Sequence, residues 1–224
     1  MTVSVDRPER IANWRAVGQP ILVVPHYVFL HTVMAVAASV TAVIGWFAVL
    51  ATGALPPRIA AFHATYVRYR ARTFAYLAFL VDTYPRFDVS PSLSDPGGAG
   101  IAVDISATLE NKNRLNVLFR FIVPFAWLTL IGLIALVAGS GVLPVWVWIV
   151  QLALGAVLIP AAVFSVVTWV VMNAAAVAAL VAVLFTGRWP QSLFKVVAGW
   201  VRVDARLWAY SMLLTDDYPP FSIH

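Results

Sequence analysis

The chain contains no cysteine, which excludes disulfides, thiolate metal sites and a cysteine nucleophile. Charge is the next scarcity. Only 11% of the 224 residues are Asp, Glu, Lys or Arg, against roughly 25% in ordinary soluble domains. No charged residue occurs from Ala16 to Pro57, and none from Phe121 to Gly187. Also missing are a phosphate-cradling Gly-rich loop, a nucleophile elbow, a zinc-protease helix and a dinucleotide fingerprint. The stretch "DPGGAG" at 95–100 follows no buried strand and reads as a flexible connector. A non-enzyme without metal or cofactor is therefore expected.

What is present is apolar. Hydrophobic residues make up 62% of the chain, and a membrane crossing needs about 20 of them in a row. Both charge-free runs exceed that length, and Arg outnumbers Lys thirteen to two, as a GC-rich bacterial genome would produce, so a multi-pass protein of a bacterial plasma membrane is expected. The opening "MTVSVDRPERIANWRAVGQP" mixes acids with bases and does not read as a signal peptide. Net charge is +5. The arginines flank apolar tracts and alternate with aromatics, which suits anionic lipid headgroups and not nucleic acid.

The chain is also duplicated. Shifted by 134 positions, residues 49–87 align with 183–221 without a gap, and 17 of those 39 positions are identical. Many matches are Gly, Pro, Arg, Asp or Tyr, which shared hydrophobicity does not explain. Upstream, "ERIANWRAVGQPILVVPHYVFL" corresponds to "ENKNRLNVLFRFIVPFAWL", with Pro25 matching Pro124 at a shift of 99. The difference of 35 suggests one extra hydrophobic helix in the second copy. The expected layout is repeat unit 1 at 1–88, a linker at 89–102, and repeat unit 2 at 103–224.

The phrases "LFTGRWP" at 184–190 and "LLTDDYPPF" at 213–221 resemble an uncharacterised bacterial membrane-protein family common in actinobacteria. Weaker counterparts, "LATGALP" and "FLVDTYPRF", stand in the first copy. The resemblance implies a tandem membrane domain of unknown function and supplies no catalytic residues.

The expected fold is all-α and polytopic. About four transmembrane helices are placed near 28–51, 119–138, 142–160 and 163–186, with two interfacial amphipathic helices bearing the arginines. A re-entrant hairpin in the first apolar tract is the alternative. In that version Arg70 and Asp204, equivalent positions of the two copies, would form a charge-assisted pair.

Candidate site residues follow from the repeat. Arg68 with Arg72, and Arg202 with Arg206, lie four apart on one helical face beside Tyr76 and Tyr210. They suit a lipid-headgroup clamp or simply an interfacial helix. Asp82, Tyr84 and Pro85 recur as Asp216, Tyr218 and Pro219, a helix-ending motif in which Pro disfavours helical geometry just before it. His26 and His31 offer a haem or proton-relay alternative, although the later apolar run holds only Gln151 and Asn173 as strongly polar candidates. The leading expectation is an accessory or scaffolding subunit of a membrane or cell-envelope complex. Its expected partners are lipids and other membrane subunits or further copies of itself. Lipid binding or transport is the runner-up.

Overall fold

The computed structural model describes residues 1–5, 8, 10–87, 89–97, 100–118, 120, 174, 177–178 and 180–217. The spans expected at 119–138 and 142–160, most of that at 163–186, and Gln151, Asn173, Tyr218 and Pro219 lie outside the described residues.

Among the described residues the architecture is mostly helical, with one small strand pair. Helix α1 (Arg15–Phe29), a π-helical turn (Leu30–Met34) and helix α2 (Ala35–Thr52) form one rod of 38 residues, roughly 57 Å at about 1.5 Å per residue. The rod is unbroken, so the re-entrant hairpin is overturned. It is long and apolar enough to cross a membrane.

The π turn has a physical reason. The buried positions Ala16, Gln19, Val23, His26 and Leu30 alternate steps of three and four, as a helix facing one neighbour requires. From Leu30 the steps to Met34, Ala38 and Ala42 are all four. A regular helix would rotate such a run off its partner, and a wider turn absorbs the extra residue.

The rod ends in a left-handed residue, Gly53 at φ +77°, a conformation glycine adopts without Cβ strain. Pro56 and Pro57 then start helix α3 (Pro57–Leu77), where a missing N–H costs nothing. The second copy repeats this turn atom by atom. Gly187 stands at φ +62° and Pro190 opens helix α4 (Gln191–Ser211). The Thr52 hydroxyl donates to the Ala48 carbonyl at 2.8 Å, and the Thr186 hydroxyl donates to Ala182 at 2.6 Å. Both helices also end alike. Phe79 and Leu213 take positive φ of 58° and 61°, and the N–H groups of Leu80 and Leu214 each reach back five residues, at 2.9 Å.

Two expectations fail here. Helix α3 is not interfacial: every residue from His63 to Tyr69 is buried, so protein covers it on all faces. It packs against the rod on one side and α4 on another, and forms the centre of the described structure. Nor is the fold wholly helical. Strand β1 (Thr2–Val5) pairs antiparallel with strand β2 (Ile101–Asp104), which takes its first two residues from the supposed linker. Each strand has four residues, too few for alternation to stand out from the sequence.

The two copies meet around a pseudo-twofold axis. Val3 pairs with Val103 at the middle of the sheet, and the side chains of Arg70 and its counterpart Asp204 meet between α3 and α4. Contacts made by one copy are returned by the other, as such symmetry demands. The Ile11 N–H donates to Gly187 O at 2.8 Å, and the Lys112 N–H donates to Gly53 O at 2.9 Å. Gly53, which ends the rod, and its equivalent Gly187 are thus each held by the segment that begins the other copy.

Candidate functional site

A cluster of charged and aromatic side chains lies on this seam. Arg70 donates from Nε to Asp204 Oδ2 at 2.9 Å and from Nη2 to Oδ1 at 3.1 Å, a two-bond fork. Its guanidinium lies 4.6 Å from the centre of the Phe74 ring and 4.6 Å from that of Trp208. Phe74 and Trp208 are themselves equivalent positions. A residue on a twofold seam faces its own counterpart, and two arginines there would repel. Asp in one copy turns that repulsion into attraction.

Three of the remaining repeated arginines, Arg68, Arg72 and Arg202, hold strands and linker. Arg68 is 2% exposed. It donates from Nε to Val103 O at 3.1 Å, from Nη1 to Ser92 O at 2.7 Å, and from Nη2 to Leu93 O. Arg202 donates from Nε to Val3 O at 3.1 Å, so each arginine grips the strand of the other copy. Arg72 pairs with Asp95, and Arg206 is partly buried.

Asp95 also accepts the N–H of Val103 at 2.7 Å and of Gly97 at 2.8 Å. Burial alone would raise its pKa. The two N–H bonds and the nearby Arg72 and Arg68 outweigh that and hold it below the usual carboxylate range. The first residue of "DPGGAG" is accordingly a fixed anchor, not part of a flexible connector.

Tyr76 is buried and its carbonyl accepts from Gln19 Nε2. Tyr210 Oη donates to Asn116 Oδ1 at 2.9 Å, with Arg120 stacked 3.7 Å over its ring. Asp82 is exposed and its carbonyl accepts from Arg15, while Tyr84 Oη donates to Leu22 O at 3.2 Å and Pro85 is buried. The equivalent Asp216 lies 3.0 Å from Arg120 Nη2 and 3.4 Å from Lys112 Nζ. Burial pushes the Lys112 pKa down, although Asp216 opposes it. The repeated aspartate thus ends α3 at the surface in one copy and anchors an ion cluster in the other.

The histidines do not converge. His26 is buried, with Nδ1 2.6 Å from Tyr69 Oη and its ring stacked 3.8 Å from that of Phe87. His31 is exposed and donates from Nδ1 to Tyr27 O at 2.9 Å. Among the described residues no three His, Asp or Glu side chains gather as metal ligands.

Sequence reasoning missed His63. It is buried on α3, donates from Nδ1 to Met212 O at 2.8 Å and has Nε2 3.0 Å from Thr41 Oγ1. Burial pushes its pKa down despite the Met212 carbonyl. Valine occupies the equivalent position 197, so the repeat gave no signal for it.

A family model described as a domain of unknown function (DUF4389) matches the chain twice, over residues 16–88 and 154–222, together well over half its length. The two matches fall on the two copies. No curated protein and no solved structure matches.

Proposed function

The chain belongs to the DUF4389 family, and on that premise we propose that it is a non-enzymatic, multi-pass integral membrane protein acting as an accessory or scaffolding subunit of a larger membrane assembly. One observation carries the reading: the outward face of the rod. From Trp14 to Phe47 it presents thirteen large apolar residues that are more than a third exposed, well beyond the scattered apolar exposure of soluble monomers. No charged side chain interrupts it after Arg15.

Its hydroxyls need no water. Thr32, Ser39 and Thr52 each donate to the carbonyl four residues back, at 2.7, 2.8 and 2.8 Å, which is how a helix satisfies such groups in lipid. The run from Phe121 to Gly187 adds 67 uncharged residues, sequence enough for more than one crossing. Arg68, Arg202 and the Arg70–Asp204 pair, meanwhile, bridge the two copies, which suits a rigid packing element.

Mild-detergent purification of the full chain, followed by native mass spectrometry, tests this. A second membrane polypeptide at fixed stoichiometry is expected. A monodisperse lone chain carrying only lipid would contradict the scaffold role.

A further inference from the structure

Both copies close with the same Asp-x-Tyr-Pro-x-Phe phrase, but only the second copy's aspartate is clamped. Asp216 is held by Arg120 and Lys112. Ile21 and Asn13 stand at the corresponding positions of the first copy, 99 residues earlier, and Asp82 makes no ion pair among the described residues. What is fixed there is backbone: the carbonyls of Val81 and Asp82 accept from Gln19 and Arg15. Beyond them, among the described residues, Thr83–Phe87 makes one hydrogen bond, from Tyr84 Oη to Leu22 O at 3.2 Å.

The rest of its hold is aromatic and centres on one imidazole. Phe87 stacks on His26 with ring centres 3.8 Å apart and planes 14° apart, and Tyr84 meets the same ring edge-on at 4.8 Å. These two rings help keep His26 at 0% exposure while being 53% and 42% exposed themselves. The cover is one ring deep.

The nest under that cover suits only a neutral imidazole. Burial pushes the Tyr69 pKa up, so its hydroxyl keeps its hydrogen and donates it to His26 Nδ1 at 2.6 Å. The imidazole hydrogen then sits on Nε2, which is buried without a hydrogen-bond partner. A second proton has to enter at Nδ1. It turns Tyr69 from donor to acceptor, strands the phenol's hydrogen and places a positive charge among aromatic rings.

No facing group compensates. Tyr69 faces His26 from α3, and Tyr84 and Phe87 from the closing phrase. On the rod, Tyr27 and His31 pair with each other and Arg15 is on the Asp82 carbonyl. On α3, Arg68 and Arg72 are turned to strand and linker and Arg70 to Asp204. Asp82 and Arg86 are exposed. Swinging Thr83–Phe87 away, about the fixed carbonyls behind it, admits water to both ring nitrogens and leaves the rod on α3. In the second copy Phe125 and Val203 replace His26 and Tyr69, so the repeat itself calls for neither polar group.

We propose that Thr83–Phe87 is a pH-operated strap, closed on neutral His26 and released when His26 takes up a proton. This goes beyond the scaffold reading and does not rest on it.

The test uses the full-length chain, which has no native cysteine. Spin labels at Arg86→Cys and Val28→Cys report strap against rod, and labels at Val28→Cys and Arg58→Cys report rod against α3. Electron paramagnetic resonance follows both pairs from about pH 8 to about pH 5, either side of the ordinary histidine pKa of about 6.5. The strap-to-rod separation is expected to lengthen reversibly in acid while the rod-to-α3 separation holds. His63→Gln should leave that response in place, and both His26→Phe and His26→Gln should abolish it. A strap-to-rod separation that ignores pH overturns the proposal. So does a response that survives loss of the imidazole, or a rod-to-α3 separation that lengthens in step with the strap.

Discussion

Inverting one charge on the seam should be far more damaging than its partial exposure suggests, and inverting both should repair much of the harm. Opposite unit charges about 4 Å apart attract by roughly 4 kcal/mol at an effective dielectric near 20. The Arg70–Asp204 pair keeps only 14% and 18% of its side-chain exposure, so lost hydration offsets part of that attraction. Asp204→Asn leaves a partly buried guanidinium with one weaker acceptor and should cost about 1–2 kcal/mol. Asp204→Arg sets two guanidinium groups against each other on the axis and should cost about 3–4 kcal/mol, in the range for an uncompensated buried charge.

Arg70→Asp should cost a similar amount, since it also removes the stacking on Phe74 and Trp208. The double variant Arg70→Asp/Asp204→Arg restores attraction without that stacking. It should recover about 2 kcal/mol relative to the sum of the single changes. Tryptophan fluorescence during denaturant unfolding in detergent micelles reads all four proteins. Strictly additive losses, with no recovery in the double variant, would refute the seam as an electrostatic contact.

Other consequences are equally concrete. Gly187→Ala should destabilise by about 2 kcal/mol and Gly53→Ala by about 1 kcal/mol, from left-handed strain in both; the order follows because a new Cβ at Gly187 meets Ile11 O at 3.1 Å, whereas at Gly53 the nearest atom is Arg114 Nη2 at 3.4 Å, and thermal unfolding of the two variants checks it. Arg68→Gln should lower stability while leaving the co-purified anionic lipid content unchanged, as mass spectrometry of extracted lipid would register. Acid should weaken the fold in two stages. His63, its folded pKa depressed, withholds a proton that the unfolded chain accepts, so stability falls as pH drops below about 6.5 toward the folded pKa. Asp95, also depressed, contributes stability that is present above about pH 4 and is lost as pH falls through its folded pKa. His63→Gln should shrink the first stage and leave the second unchanged in a pH series of unfolding midpoints.

Much of this was legible beforehand because the repeat carries its own check. Thr52-Gly53 and Thr186-Gly187, with Pro56 and Pro190, announced the same turn twice, and the structure builds it with the same hydrogen bonds. The change from Arg70 to Asp204 suggested a pair only if the first apolar tract turned back as a hairpin; the rod is unbroken, yet the pair forms. Helix α3 was misread because its arginines looked like surface residues. Nothing in its sequence reveals that strand carbonyls and Asp95, over 20 residues away, would receive them. The strands were too short to register against four-residue noise. His63 lay hidden because its acceptor, Met212 O, is 149 residues distant and is a backbone atom present at every position.

The pseudo-twofold seam itself is most directly tested by one cross-link. Ser4 and Ala102 face each other in the sheet, on its exposed side. In a chain with no other thiol, Ser4→Cys/Ala102→Cys should close an intramolecular disulfide under mild oxidation in intact membranes, detected as a faster-migrating band that reductant abolishes. Failure to form it, or formation only between separate chains, would contradict the pairing of the two copies on which this account stands.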